Sequence, residues 1–330
     1  MPRILDVHDL GNPSAIAEAA RCLRSGAVVA FPTETVYGLG ADTFNPLAID
    51  KVYDLKGRPT DNPLIAHVLD EAQAMRLVAH WDDRCRTLAK SFWPGPLTIV
   101  LKKSPDVPSE ATAGRGTIAV RAPKHPVARA LIESFGSPVS APSANRSGHI
   151  SPTRASHVAQ DFASCDDLLI LDGSSSEVGI ESTVVDLTGE IPVVLRPGSI
   201  TLEMLRELMG EIEQPTLRMQ AGSPGTSLAH YAPTTRTELI DRAKMPDRLA
   251  ELSEPALVLA RDVTNVRPPH RAIGMPGIAE DYAKALYSAL READASGCIR
   301  IVIEKPDETD GLWAAILDRL RRATRDDEPD

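Results

Sequence analysis

"FPTETVYGLGADTFNPLAIDKVYDLKGRPTDNPL", residues 31–64, combines hydroxyl groups, cations and many turn-forming residues in one span. It continues the apolar run AVVAF (27–31), which is typical of a short buried strand. Asn45 followed by Pro46 predicts the start of a helix, because Asn caps well and Pro suits the first helical position. Between strand and helix, a Pro-Thr-Glu-Thr turn and two close glycines indicate a turn-rich, strand-breaking run. We expect this order of strand, polar segment and helix to create a ligand-binding edge in an α/β fold.

Apolar runs that predict strands alternate with amphipathic runs that predict helices on both sides of this stretch. The further predicted strands are 64–69, 97–103, 117–123, 138–145 and 167–173. The predicted helices begin at Asn12, Asn45, Asp82, His125 and Thr201. The runs STVVDL and PVVLR flank Thr188, Gly189 and Glu190, which predicts a hairpin. A hairpin is incompatible with a purely parallel sheet, so we expect a twisted mixed sheet with helices.

A segment rich in Pro, Gly, Ser and Thr separates this unit from a second one. We interpret residues 213–236 as a linker, and its length favours a functional role. Strands and helices alternate again after it, which predicts a smaller, Rossmann-like α/β domain. In its central helix, Ile278, Tyr282, Leu286 and Leu290 are expected to face inward. The expected division is therefore 1–212, 213–236 and 237–330.

Composition bounds the class of protein. The 330 residues are 42% hydrophobic and 25% charged, as in ordinary globular proteins, and the formal net charge is −10. That charge argues against broad binding to nucleic acid or to an anionic membrane. Cys22, Cys85, Cys165 and Cys298 are far apart, which favours reduced thiols and a cytoplasmic location. The first residues lack the pattern of a secretion signal, and no apolar run approaches the ~20 residues of a membrane span.

Several common catalytic motifs do not occur in the sequence. It contains no Gly-x-x-x-x-Gly-Lys-Ser/Thr loop for phosphates and no Gly-x-Ser-x-Gly elbow for a nucleophilic serine. The histidines show no metal-binding spacing; His149 and His157, for example, lie eight residues apart. We therefore expect neither a P-loop nor a metal site.

Six polar clusters lie at the edges of apolar runs instead. Their members are Thr33, Glu34 and Thr35; Lys56, Arg58, Asn62 and His67; Thr117 and Arg121; Ser140, Ser143, Asn145, Ser147 and Ser151; Glu181, Ser182 and Thr183; and Arg196. Single clusters have purely structural alternatives: a turn for 140–145, a helix end for Lys56 and Arg58, a core histidine for His67. Arg121 within an apolar strand needs an anionic or hydrogen-bonding partner if it is buried. Together the clusters predict a site for a polyanion and a zwitterion.

Seven stretches that contain most of these clusters, in order between residues 31 and 200, resemble the YrdC-like domain. They are FPTETVYGLGADTFN, KGRPTDNPL, WPGPLTIVL, VRAPKHPVA, SAPSANRSGHISPT, GIESTVVDL and LRPGSI. The segment SPGTSLAHYAP (223–233) and the α/β C-terminal part extend the resemblance to the whole chain. The chain is therefore similar to the two-domain Sua5 type of the Sua5/YrdC/YciO family.

The resemblance implies an L-threonylcarbamoyladenylate synthase, a nucleotidyltransferase that uses L-threonine, bicarbonate and ATP with Mg²⁺ and releases pyrophosphate. It implies no tightly bound cofactor. The product would serve a tRNA threonylcarbamoyl transferase complex that forms N6-threonylcarbamoyladenosine at position 37, and weak tRNA binding is part of this expectation. Two alternatives stay open at this point: a double-stranded RNA-binding YrdC-like protein, and a carbamoyl-adenylate-forming carbamoyltransferase relative. The second normally carries zinc-finger segments, whereas this chain has no Cys-x-x-Cys.

The resemblance also implies roles for individual residues. L-Threonine would be held by Thr35, His67, Arg121, Ala141 and Ser182. ATP would be surrounded by Lys56, Arg58, Asn62, Thr117, Ser143, Asn145, Ser151, Arg196 and Tyr231. Lys56 and Arg58 are the candidates for stabilising phosphate charge in the transition state, and Arg121 suits a bidentate clamp on a carboxylate. The linker would fold over the cavity, held in place by the C-terminal domain.

Overall fold

Two separate sheets organise the structure, a computed structural model that describes residues 1–8, 11–214 and 231–324. The larger sheet is built entirely from strands that precede residue 197, and the smaller sheet begins at Arg236. Most of the predicted linker, 213–236, lies outside the described residues. The large mixed sheet and the separate small parallel sheet confirm the predicted fold class.

The larger sheet has ten strands. They are β1 (Arg3–Asp6), β2 (Val29–Phe31), β3 (Gly38–Asp42), β4 (Ile65–His67), β5 (Leu97–Lys102), β6 (Thr117–Arg121), β7 (Val139–Ser140), β8 (Leu169–Asp172), β9 (Thr183–Asp186) and β10 (Val193–Arg196). Their spatial order is β1-β8-β2-β3-β7-β4-β6-β5-β9-β10. Strands β4 and β6 run parallel, as do β5 and β9, while β9 and β10 form the predicted antiparallel hairpin.

Among the described residues, seven helices lie in the part of the chain that forms this sheet. They are α1 (Pro13–Arg24), α2 (Pro46–Lys56), α3 (Glu71–Met75), α4 (Asp83–Phe92), α5 (Pro126–Phe135), α6 (Ala155–Asp161) and α7 (Leu202–Met209). The side chains of Asn12 and Asn45 cap α1 and α2 as predicted, accepting hydrogen bonds of 3.2 Å from the amides of Ala15 and Ala48. A 3₁₀ turn, Glu110–Thr112, precedes β6.

The glycines at 38 and 40, in the run predicted to break strands, belong to a strand. Strand β3 pairs antiparallel with β2, so that Gly38 lies opposite Phe31. A Cβ atom on Gly40 would approach the Phe31 ring to 2.6 Å and Val139 to 2.7 Å. Glycine in this strand therefore makes room for a neighbouring side chain, and for that reason this part of the run is a strand and does not break one.

The smaller sheet consists of four parallel strands. They are β11 (Arg236–Asp241), β12 (Ala256–Ala260), β13 (Arg271–Gly274) and β14 (Arg300–Lys305), in the order β11-β14-β12-β13. Its helices are α8 (Met245–Glu251), α9 (Ala279–Asp294) and α10 (Gly311–Thr324), and Arg242–Lys244 form a 3₁₀ turn. Tyr282, Leu286 and Leu290 on α9 are buried as predicted, but Ile278 is 63% exposed. Ile278 precedes the first helical turn in an extended conformation, so it does not share the buried face of α9.

The two units share a hydrophobic cluster. Val36, Ile150 and Ile180 from loops of the first unit pack with α9 and α10 of the second. Gly179 shows how close this approach is, because a Cβ atom there would lie 2.4 Å from the backbone oxygen of Ala283 on α9. Among the described residues, the helices are all too short or too polar to cross a membrane.

A pair of glycine substitutions tests this docking contact. Gly179 and Gly136 both have left-handed φ angles, 81° and 80°, so alanine costs roughly 1–2 kcal/mol of backbone strain at either position. Open space surrounds Gly136, whereas α9 blocks Gly179. We expect Gly179→Ala to lower the free energy of unfolding by about 1–3 kcal/mol more than Gly136→Ala, the usual cost of overpacking. Urea unfolding followed by circular dichroism measures both, and equal losses would contradict the contact.

Candidate functional site

The candidate site lies at one end of the large sheet, where several strands end or begin side by side. Strands β4 and β6 end there with His67 and Arg121 in direct register. Strand β9 begins immediately after Ser182, and β10 ends at Arg196 beside it. The sheet therefore gathers four of the predicted residues from segments up to 129 positions apart in the chain.

These residues surround a hollow that opens to solvent and has about 520 Å³ of empty space when the open solvent at its mouth is counted. Every residue predicted to hold threonine lines it, namely Thr35, His67, Arg121, Ala141 and Ser182. Of the residues predicted to surround ATP, those lining it are Arg58, Ser143, Arg196 and Tyr231. Four others, Lys56, Asn62, Asn145 and Ser151, lie behind the wall and bond to residues of it. The roles of all these residues remain predictions.

Arg121 contacts three groups, of which Thr35 also lines the cavity. Its Nη2 lies 2.7 Å from Oε1 of Glu34, its Nη1 donates to Thr35 Oγ1 at 2.9 Å, and its Nε donates to the Gly95 carbonyl at 3.2 Å. A guanidinium has five N–H groups, and these contacts within the described residues occupy three at most, so at least two are left for a ligand. One lies on each Nη atom, the arrangement that binds a carboxylate through two parallel hydrogen bonds.

Glu34 orients Arg121 and also supplies the negative charge beside it. Burial by itself raises the pKa of the Glu34 carboxyl, but the adjacent Arg121 and the amide of Lys124 outweigh it, and the pKa is lowered. The carboxylate is therefore ionised at neutral pH, and it neutralises the buried guanidinium. Sequence reasoning grouped Glu34 with the two threonines of the PTET run but gave it no role.

Arg58 is held by neutral acceptors. It donates to the carbonyl and side-chain oxygens of Asn62, at 3.0 and 2.6 Å, and to the carbonyl of Pro63 at 3.0 Å. Burial lowers the pKa of Arg58 to about 10, so the group remains charged at neutral pH. An anionic ligand in the cavity would offset the cost of taking this cation out of water.

Lys56 organises the cavity wall from behind. As the last residue of α2, it is buried, and its Nζ donates to the carbonyls of Ser143 and Asn145 at 2.7 and 2.6 Å. Ser143 and Asn145 are further linked by a side-chain hydrogen bond of 2.5 Å. Burial, followed by the repulsion of Arg58, holds the pKa of Lys56 well below its ordinary value. Lys56 thus fixes the shape of the loop that carries Ser143 and Asn145, called here the serine-rich loop. The third Nζ–H is the group through which Lys56 would reach a ligand directly.

Ser182 and Arg196 form a second rigid wall. Arg196 donates from Nε to the Ser182 carbonyl at 3.1 Å and from Nη2 to Ser182 Oγ at 3.1 Å. The Ser182 hydroxyl lies 2.8 Å from that of Thr98 on β5.

Burial and the charge of Arg121 together lower the pKa of His67 to about 3, so its imidazole is neutral. The cavity is therefore lined by the neutral ring of His67 as well as by the side chains of Arg121 and Arg196.

Thr117 is placed differently from the other predicted residues. It starts β6, whereas Arg121 ends it, and four residues of strand span about 13 Å. The even spacing puts both side chains on the same face of the sheet. Thr117 is therefore too far away to share ligand atoms with Arg121, and a role for it requires a ligand that extends along the strand.

A carboxylate that sequence reasoning left without a role connects the two domains at this cavity. Glu181 lines the cavity, accepting from Ser151 Oγ at 2.6 Å, from Tyr287 Oη at 2.8 Å and from Arg319 Nε at 2.9 Å. Tyr287 and Arg319 belong to α9 and α10 of the C-terminal domain. The sequence does indicate that Arg319 is buried, because the 3.6-residue pattern of α10 places it beside Leu320 on the buried side of that helix.

Known proteins similar to this chain cover both domains. The family model Sua5/YciO/YrdC, described as telomere recombination, matches residues 21–198, and a model described as the C-terminal domain of threonylcarbamoyl-AMP synthase matches residues 200–324. The threonylcarbamoyl-AMP synthase of Pyrococcus abyssi is 38% identical, covering 98% of both chains. That of Bacillus subtilis is 41% identical, covering 94% of this chain and 93% of its own. The crystal structure of P. abyssi Sua5 complexed with L-threonine matches at a TM-score of 0.91 and 38% identity, covering 97% of each chain.

The ionised state of Glu181 gives a prediction about stability and pH. Burial alone raises the pKa of this carboxyl, but Arg319, Arg196 and the hydrogen bonds from Ser151 and Tyr287 lower it to about 2. A carboxyl whose pKa is lower in the folded than in the unfolded state stabilises the fold above the unfolded pKa, near 4.5, and loses this effect as pH falls towards 2.

Glu181→Gln is therefore expected to lower the free energy of unfolding by about 3–5 kcal/mol at pH 7, the usual cost of breaking a buried pair. The difference from the parent chain should shrink progressively below pH 4.5. Urea unfolding at pH 7, 5, 4 and 3 measures it, with Glu177→Gln on the exposed surface as the control. A difference that stays constant with pH would show that Glu181 is not ionised in the folded chain.

Proposed function

The chain belongs to the Sua5/YciO/YrdC family, and on that premise we propose that it is an L-threonylcarbamoyladenylate synthase, a nucleotidyltransferase. It condenses L-threonine, bicarbonate and ATP into L-threonylcarbamoyl-AMP and releases pyrophosphate. One observation carries this proposal: Arg121, Arg58 and Arg196 line a single cavity. A carboxylate and a polyphosphate can therefore lie side by side in it. The near full-length match to synthases from two organisms supports the same reaction.

Threonine is proposed to bind at the Arg121 side of the cavity. The two N–H groups of Arg121 that face away from Glu34 take the α-carboxylate of threonine through paired hydrogen bonds. Thr35 and Ser182 offer hydroxyls to the polar groups of threonine, and Ala141 and the neutral His67 offer contact without charge. The crystal structure of the P. abyssi relative with L-threonine supports this class of ligand.

The triphosphate is proposed to bind at the side of Arg58 and Arg196. Arg58 is charged and held by neutral acceptors, so it is ready to pair with phosphate oxygens. Ser143 borders this side, and Lys56 sets the position of its loop. Asn62 acts through Arg58, Asn145 through Ser143, and Ser151 through Glu181. Thr117 and Tyr231 would border more distant parts of the nucleotide.

The chemistry then needs positioning more than a protein nucleophile. The threonine nitrogen adds to bicarbonate carbon and water leaves, giving a carbamate. A carbamate oxygen attacks the α-phosphorus in line with the departing pyrophosphate; the new P–O bond forms as the bond to the β-phosphate bridge breaks. Arg58, with Lys56, is proposed to stabilise the negative charge that develops on these oxygens.

Several further features are part of the proposal. Mg²⁺ enters as part of the MgATP substrate, and no tightly bound cofactor takes part. A cytoplasmic location is proposed because the reaction consumes ATP and its product is destined for tRNA. The mixed anhydride passes to a tRNA threonylcarbamoyl transferase complex, which forms N6-threonylcarbamoyladenosine at position 37. Any direct contact with tRNA is expected to be weak, since the formal net charge is −10.

An omission assay tests the reaction. We expect pyrophosphate release from the purified chain only when L-threonine, bicarbonate and ATP are all present. The carbamate cannot form without the first two, and ATP alone offers no acceptor for the adenylyl group. Release is measured with a coupled pyrophosphate assay after leaving out each substrate in turn. Release that continues at the same rate without threonine would refute the assignment.

Variants at Arg121 test the proposed threonine side. Arg121→Ala removes a charge-assisted pair of hydrogen bonds, each worth about 1.5–3 kcal/mol. We expect the KM for threonine to rise at least tenfold while the KM for ATP changes little. Arg129→Ala is the control; it removes an arginine on α5 that donates to the carbonyl of Leu69. An equal rise of both KM values would mean that Arg121 does not discriminate between the substrates.

A second pair of variants tests the phosphate side. Lys56→Ala is expected to lower kcat for adenylation about 10–100-fold, because the serine-rich loop loses its support and the phosphates lose a cation. Lys51→Ala is the matched control, since Lys51 lies on the same helix and donates to the Gly26 carbonyl. Steady-state kinetics with pyrophosphate detection distinguish the two. A Lys56 variant that loses only threonine affinity would show that the two sides of the cavity are wrongly assigned.

A further inference from the structure

We propose that the C-terminal domain supplies two positioning residues to the nucleotide side of the cavity, Tyr287 and Arg319, which hold Glu181 and Tyr231 in its wall. The inference rests on the proposed function and deepens it, because it gives the second domain a defined part in ATP binding. Neither residue lines the cavity; each acts through a residue that does.

The geometry links all four side chains. The Tyr287 hydroxyl and the Arg319 guanidinium donate to the same oxygen of Glu181, Oε2, at 2.8 and 2.9 Å. The same two side chains also meet Tyr231, whose ring centroid lies 5.5 Å from that of Tyr287 and 5.6 Å from the guanidinium carbon of Arg319. Tyr231 and Arg319 are fully buried. One pair of residues from the second domain thus fixes both a carboxylate and an aromatic ring of the cavity wall.

The charge balance explains why the pair matters for a polyphosphate. Glu181 places an ionised carboxylate in a cavity that is proposed to hold the negatively charged triphosphate of ATP. Alone it would repel the nucleotide strongly, because buried charges interact through a low effective dielectric. Arg319 compensates this charge and keeps the carboxylate turned towards Ser151 and Tyr287. Loss of Arg319 should therefore weaken ATP binding in particular.

A purely structural role in joining the domains is a different possibility, and the interface contains a contact that serves as a comparison. Arg291 on α9 forms two hydrogen bonds with the carboxylate of Asp161, at 2.9 and 2.7 Å. This ion pair also crosses between the domains and is largely buried, but neither partner lines the cavity. A residue that only joins domains should behave like Arg291.

The test compares four variants of the full chain in the pyrophosphate assay: Arg319→Ala, Tyr287→Phe, Arg291→Ala and Tyr282→Phe. Arg319→Ala is expected to raise the KM for ATP at least tenfold, and Tyr287→Phe about three- to tenfold, with the KM for threonine within twofold of the parent. Arg291→Ala should lower thermal stability without this selective change. Tyr282→Phe removes a hydroxyl from the same helix, where the Tyr282 ring packs on Trp313, and should leave both KM values unchanged.

Two results would overturn the proposal. One is a KM for ATP that rises equally in Arg319→Ala and Arg291→Ala; the other is a KM for ATP that Tyr287→Phe leaves unchanged. If Arg319→Ala does not fold, Tyr287→Phe decides the matter, because it keeps the ring and removes only the bond to Glu181. Failure of the proposed function is recognised separately, since the parent chain would then release no threonine-dependent pyrophosphate. Calorimetric titration of Tyr287→Phe and the parent with MgATP would in that case still measure the effect on the nucleotide.

Discussion

The cost of removing cations from water is the constraint on which this structure depends. Arg58, Arg121, Arg196 and Lys56 are almost completely buried around one hollow, and burial lowers the pKa of three of them. The chain meets this cost in two ways. It pairs Arg121 with Glu34, and it gives Arg58 and Lys56 neutral oxygen acceptors. A site that keeps charged groups beside neutral partners gains most when an anion enters, which is why a carboxylate and a polyphosphate suit it.

The same constraint ties the two domains together. Glu181 is a buried anion at the edge of the cation-lined hollow, and of its three donors among the described residues, two come from helices of the C-terminal domain. The close approach of Gly179 to α9 and the ion pair between Asp161 and Arg291 fix the position of α9, which carries Tyr287. The docked second domain therefore also holds a residue of the cavity wall, Glu181.

How much of this was predictable depended on the distance between partners in the chain. The caps at Asn12 and Asn45 and the β9–β10 hairpin follow from local rules, and all were confirmed. The strand at Gly40 was missed because its glycine accommodates Phe31 across a strand pair, which no local pattern records. The link between Glu181 and Arg319, 138 positions apart, was out of reach for the same reason. Residue types identified the ligand classes, but only the fold showed that Lys56 points at backbone carbonyls.

The central claim is that one hollow holds threonine and the triphosphate side by side. A crystal structure of the full chain with L-threonine and a non-hydrolysable ATP analogue tests it most directly. We expect the threonine carboxylate on the two outward N–H groups of Arg121 and the phosphates within hydrogen-bond distance of Arg58. A structure with the two ligands bound in separate depressions would contradict this claim. So would a threonine carboxylate that pairs elsewhere while Arg121 contacts only its partners within the protein.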